Sequence, residues 1–173
     1  SISNVRVTSC IVQAVGGAVG AAMMLQSIKN VEISSISFEK ITVLVSGYES
    51  MWSRISGLLT SDNADQVKIW DVSSTDTVLN CDGCPVGTVR GGLLYLHQCA
   101  STVISSIRTQ NLLMTCNGRG GYCNLEGGVF YFDYVHPEVA ISNTTTRHVS
   151  LDCKGSKCNA LGGVMYFDRA LMG

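Results

Sequence analysis

Charge is what this chain has least of. Only 14% of its 173 residues are charged and the net charge is −1, against about a quarter charged in an ordinary globular domain. No run of lysine or arginine occurs, so neither nucleic acid nor an anionic membrane has an electrostatic footprint here. Proline is nearly absent, with two residues, which excludes proline-rich linkers. No stretch of 12 or more residues carries a 3.6-residue apolar stripe with caps at both ends, so helices are not expected. The longest apolar run, "IVQAVGGAVGAAMML" at 11–25, is interrupted by Gln13. It is shorter than the roughly 20 residues that a membrane helix needs. Walker loops, dinucleotide fingerprints and the G-x-S-x-G nucleophile elbow are missing too. The three histidines, His97, His136 and His148, fall at unrelated positions.

Glycine and cysteine are plentiful, at 18 and eight. The close pairs Cys81/Cys84, Cys116/Cys123 and Cys153/Cys158 each bracket glycine or small residues and are expected to form local disulfides. An even cysteine count in such pairs favours an oxidising, extracellular or cell-surface setting. Cys10 and Cys99 have no evident partners. Zinc at Cys81-x-x-Cys84 lacks a second half-site of the right spacing. A redox role lacks the surrounding βαβ pattern. Asn143-Thr144-Thr145 is the one N-x-[ST] sequon, a candidate for a covalent glycan at an exposed corner. The chain opens on Ser1 in what reads as mid-strand, as expected of a processed product or a window from a longer protein.

The chain also repeats itself. "EGGVFYFD" at 126–133 returns as "LGGVMYFD" at 161–168. Gly-Gly recurs at 16–17, 91–92, 127–128 and 162–163, with Ser56-Gly57 as a weaker copy, so the second glycines fall at 17, 57, 92, 128 and 163. A second block keeps the same time. The segments 31–45, 67–81, 102–116 and 139–153 align without gaps, with Ile33, Ile69, Ile104 and Ile141 at the third position. Three of the four end in cysteine; Val45 takes that place in the first. Each repeat of about 35–40 residues holds three β-like pieces: one after Gly-Gly, one at V-x-I-S and one leading to the cysteine. Such units stack into the coils of a parallel β-helix, because one coil alone cannot bury its inward side chains. A leucine-rich repeat lacks its register here, and a propeller lacks its Trp-Asp unit. The expectation is an all-β, single solenoid over 1–173 with about five coils.

Gly-Gly-apolar-apolar-Tyr, repeated with cysteine-flanked turns, resembles the Gly-Gly-Ala-Ile repeats of polymorphic-outer-membrane-protein-like and pectin-lyase-like surface β-helices. That resemblance implies a secreted or surface-displayed, right-handed β-helix.

Stacking turns repeat positions into columns. Tyr95, Tyr131 and Tyr166 share one, on strands apolar on both faces. Their outer side is expected to meet a lateral protein partner, the 46–56 insertion (Gly47, Tyr48, Met51, Trp52) or a glycan. Asp62, His97, Asp133 and Asp168 share another. Carboxylates about 5 Å apart suit calcium or acid/base work, and pectin-lyase-like enzymes use such clusters; a corner that simply prefers polar residues is the plainer reading. Cys10, Cys81, Cys116 and Cys153 are expected to form a third column, in which neighbours are also close enough to bridge.

The two ends fit one another. Joining Gly173 to Ser1 keeps the usual 12-residue step from the second glycine to isoleucine, Gly163 to Ile2. The step from Ile2 to Cys10 is shorter than elsewhere, so a tight corner is expected there. The expected function is a structural unit of an extracellular fibre, non-enzymatic, without a cofactor or metal. Its partner is expected to be itself, end to end through strand pairing, with side-by-side contact as a further option. A glycan-binding adhesin segment and a polysaccharide lyase or hydrolase are the rival classes.

Overall fold

The computed structural model describes residues 1–15, 22–47, 53–83, 86–118, 121–135, 138–154 and 157–169. Every regular element among them is a β-strand, and the pairings are parallel and in register. The isoleucine column is continuous: Ile2 lies on Ile33, Ile33 on Ile69, Ile69 on Ile104 and Ile104 on Ile141. Four turns separate these five levels. The expected parallel β-solenoid is therefore present, each residue stacked about 4.8 Å from its counterpart.

The coil is more angular than three strands imply. Its corners are single residues in the left-handed region, repeated level after level. One column comprises Asn4, Ser35, Asp71, Ser106 and Asn143; a second, five residues on, comprises Ser9, Lys40, Asp76, Asn111 and His148. Ser27, Asn63, Gln98, Tyr134 and Arg169 form a third. Gly57, Gly91, Gly127 and Gly162 form a fourth. A left-handed residue costs roughly 1–2 kcal/mol unless it is glycine, with Asn and Asp the best tolerated alternatives. The first two columns offset part of that cost with side-chain bonds along the axis. Ser35 Oγ donates to Asp71 at 3.0 Å, and Asn143 Nδ2 donates to Ser106 Oγ at 3.1 Å. Asn111 Nδ2 donates to Asp76 at 2.7 Å.

A further strand per coil was not foreseen. Ser53–Ser56, Val86–Arg90, Tyr122–Glu126 and Lys157–Leu161 stack into a separate parallel sheet just before the glycine corner, and two of these strands contain the second cysteines, Cys123 and Cys158. Their short, mixed sequences ("VGTVR", "YCNLE", "KCNAL") carry little β signal. Neighbouring coils supply the pairing that the local sequence does not.

Two register expectations are corrected. Cys81, Cys116 and Cys153 do stack, but the fourth place belongs to Ala14, which lies on Val45, while Cys10 sits four residues earlier at a corner. Ile2 to Ala14 is thus 12 residues, the same as Ile33 to Val45 and Ile104 to Cys116, and the expected tight corner does not exist. Gly57 matches the first glycine of the pair, not the second. Ser56 lies on Arg90, and Gly57 donates to the Arg90 carbonyl as Gly91 does to Glu126. The corner after Gly57 is simply one residue shorter, because Leu59 again lies on Leu94. Gly16 and Gly17 lie outside the described residues.

The core is a set of apolar columns. Ile33, Ile69 and Ile104 are fully buried, as are Leu59, Leu94 and Phe130, and Ile55, Val89 and Leu125. Cys116–Cys123 and Cys153–Cys158 are disulfides spanning Cα distances of 5.8 and 5.9 Å, each within one coil rather than between coils. Each ties the end of a long strand to the small sheet. Cys81 is disulfide-bonded too; its expected partner Cys84 lies outside the described residues. Cys10 and Cys99 are free, Cys99 buried.

The second glycine of the 91–92 and 127–128 pairs is needed because coils approach there. A Cβ on Gly92 would run into the Gly128 carbonyl oxygen, and one on Gly128 into that of Gly163. Gly92→Ala is therefore expected to cost about 2 kcal/mol and lower Tm by about 4–8 °C in a thermal melt followed by circular dichroism.

Candidate functional site

The polar and tyrosine columns share the outer face of one strand per coil, where it folds back against the small sheet. Residues 95 and 97, 131 and 133, and 166 and 168 are two apart, so each tyrosine points the same way as its polar neighbour. Register places Asp62 on His97, His97 on Asp133 and Asp133 on Asp168. Tyr95, Tyr131 and Tyr166 stack with ring centroids 5.3 and 5.6 Å apart.

The tyrosine face is not free for a partner. Tyr95 is 4% exposed and Tyr131 fully buried. Arg54 lies over the Tyr95 ring at 4.7 Å and bonds its hydroxyl; Arg90 lies over Tyr131 at 4.8 Å. Arg54 belongs to the expected 46–56 insertion, whereas Tyr48, Met51 and Trp52 lie outside the described residues. Arg90 is in turn paired with Glu126 at 2.7 Å. Burial opposes the charge on Arg90, but Glu126 and the tyrosine oxygens outweigh it and hold the guanidinium above its ordinary value. The lateral or glycan contact expected of these rings is met from within the chain; only Tyr166, on the last level, is half-exposed. Arg54 and Arg90 escaped sequence reasoning, although Arg90 and Glu126 stand immediately before Gly-Gly in successive coils.

The polar column is occupied in the same way. Gln26, one level before, donates its Nε2 to Asp62 Oδ2 at 3.2 Å. His97 Nδ1 and Asp133 Oδ2 are 3.0 Å apart. The His97 ring is stacked on Tyr95 and set edge-on to Tyr134. Tyr131 donates its hydroxyl to Asp168 Oδ2 at 3.0 Å. Each carboxylate of the column thus has a neighbour of the fold as partner. Asp133 Oδ1 is buried without a hydrogen-bond partner among the described residues. No group of three or more His, Cys, Asp or Glu placed to hold a metal ion occurs among the described residues. His148 lies on another corner, bonded to Asn111, and His136 lies outside the described residues. Asn143 stands at an exposed corner, as its sequon requires.

Comparison with family models, with curated proteins and with solved structures found no match for this chain. The repeat geometry therefore carries the functional argument alone. No helix among the described residues is long and apolar enough to cross a membrane.

Burial pushes the Tyr131 hydroxyl well above its ordinary value, and it does the same to Tyr95 more mildly. Unfolded tyrosine loses its proton near pH 10. Above that pH the unfolded chain binds fewer protons than the folded one, so stability falls as pH rises. Urea melts at pH 8 and pH 10.5 are expected to show this loss. Tyr131→Phe should be less stable than the parent at pH 8 by about 1 kcal/mol, through its lost bond to Asp168, and should lose less between the two pH values.

Proposed function

We propose that this chain is a structural solenoid of an extracellular fibre or surface layer, whose end coils take further coils end to end. The partner coil belongs to another copy or to a tandem unit of a longer polypeptide. The mechanism is mechanical: backbone ladders run along the axis, apolar columns fill the interior and disulfides tie the corners.

The observation that carries this reading is the contrast between inner and outer levels. Inner-level isoleucines and leucines are sealed, while the same columns stay half-open at both ends, at Ile2, Val5 and Val12 on one side and Ile141, Val149 and Leu151 on the other. Large apolar side chains are exposed there as well. Val15 is 88% exposed and Ile11 68% on the first level, and Phe167 is 46% exposed on the last. Strand edges of this kind are templates for pairing. Ile2 to Ala14 keeps the 12-residue step of the inner coils, so the first level has the shape to receive another. The disulfides support an oxidising compartment. The Gly-Gly repeats, similar to those of surface β-helices, and the exposed Asn143 sequon support display outside the cell.

Gly163 provides the test. Its counterparts Gly92 and Gly128 are packed against the next coil, yet a Cβ on Gly163 meets nothing within 4 Å. Gly163→Val is expected to leave Tm within a few degrees of the parent and to abolish end-to-end association. Association is measured by light scattering and electron microscopy, in which assemblies of the parent give a layer spacing of about 4.8 Å and a unit repeat near ~24 Å. A parent chain that stays monomeric at high concentration, or a Gly163→Val variant that assembles as well as the parent, would overturn the proposal.

A further inference from the structure

A second outer strip lies between the first two columns of left-handed corners. Its runs are four residues long, 36–39, 72–75, 107–110 and 144–147, each bounded by corner residues. Alternation turns Ile36, Val72 and Ile107 inward and leaves two outward columns. In one, Ser37, Ser73, Arg108 and Thr145 stack; in the other, Glu39, Thr75, Gln110 and Arg147 stack. Two long guanidinium arms therefore rise from adjacent levels beside short hydroxyl side chains. Between them lies a groove of about 350 Å³ lined by Ser73, Thr75, Arg108, Gln110, Thr145 and Arg147 among others.

The charge pattern singles this groove out. Elsewhere the cations are mostly neutralised: Arg6 and Lys40 by Glu39, Lys68 by Glu32, Arg90 by Glu126, Lys154 by Asp152 and Arg169 by Asp168. Arg54 and Lys157 lie on tyrosine rings. Arg108 and Arg147 have no ion pair or ring contact with a described residue, and the groove lining contains no carboxylate. The acids near the strip are already engaged: Glu39, stacked on Thr75 in the same column, with Arg6, Asp71 with Ser35 and Asp76 with Asn111. In a protein this poor in charge, two unneutralised arginines in one concave strip leave a surplus of donors.

We propose that this groove binds an acidic saccharide, with Arg108 and Arg147 on its carboxylate or sulfate groups and the Ser/Thr hydroxyls and Gln110 on its neutral hydroxyls. A planar guanidinium fork matches the oxygens of either anion. Side-chain hydroxyls both donate and accept, as sugar hydroxyls do. Two cations are too few for the extended phosphate tracking of nucleic acid. The groove has no aromatic platform, so the affinity is modest and falls as salt screens the charges. The site lies along the side of the solenoid and does not depend on end-to-end stacking.

The test is calorimetric titration of the full, disulfide-intact chain at low salt. The probes are oligogalacturonate for carboxylate, a heparin-derived oligosaccharide for sulfate, a neutral maltooligosaccharide and inorganic sulfate. At least one acidic saccharide should bind, at least about tenfold more tightly than the neutral one. Arg108→Gln/Arg147→Gln should weaken it by about tenfold or more with Tm unchanged, and Lys29→Gln should leave it unchanged. The two acidic probes distinguish carboxylate from sulfate recognition. The proposal is overturned by equal binding of the neutral sugar, by no binding of either acidic one, or by binding that survives loss of both arginines. Inorganic sulfate binding as tightly as the saccharides would overturn the saccharide assignment.

Discussion

Everything in this molecule depends on vertical register. A residue in a parallel solenoid is covered above and below by its own counterpart, about 4.8 Å away. Each position must therefore suit itself as a neighbour. Isoleucine on isoleucine does so by filling the interior without voids. Asn or Asp on Ser does so at the corners, where short polar groups bond along the axis and stand in left-handed backbone. Glycine on glycine does so where two coils come too close for any side chain. Like charges stacked in this way would repel. The low charge of the chain and its pairing of Arg6 with Glu39 and Lys68 with Glu32 on neighbouring levels are consistent with that constraint.

The same rule explains why the tyrosine column became interior. A ring stacked on a ring already loses much of its water, and the fold-back at the glycine corner brings the small sheet against the remaining side. Arg54 and Arg90 fill that angle, using the ring face for their charge and, for Arg90, Glu126 for what remains. The arrangement converts an outer surface into a second, polar-lined core. His97 with Asp133 and Tyr131 with Asp168 continue it outward. By contrast, the strip bearing Arg108 and Arg147 has no opposing sheet, so its donors stay open.

Inner and end levels differ for a related reason. A solenoid has no closing contact of its own along the axis, and each level is completed only by the next. The half-open columns at Ile2 and Ile141 are the same columns that are sealed at Ile69. Among the described residues, Ile2 and Ile141 are stacked on a counterpart on one side and Ile69 on both.

The sequence by itself determined the solenoid, its period and its columns, because stacking forces side-chain identity to recur at a constant interval. Isoleucines at 33, 69, 104 and 141 and the Gly-Gly pairs are that recurrence written in one dimension, and the local 116–123 and 153–158 bridges follow from proximity along the chain. The tertiary structure alone decided what each column faces. Nothing in the spacing of Tyr95 and Tyr131 says that Arg54 and Arg90 lie over them, since these partners come from the preceding coil and depend on the angle between two sheets. The 12-residue count from Ile2 does pick Ala14 rather than Cys10 as the residue on Val45, and cysteine identity was the weaker guide. The small sheet and the left-handed corners were illegible for the same physical reason: their residues are ordinary as a local sequence and become strand or corner only when a neighbouring coil supplies the hydrogen bonds.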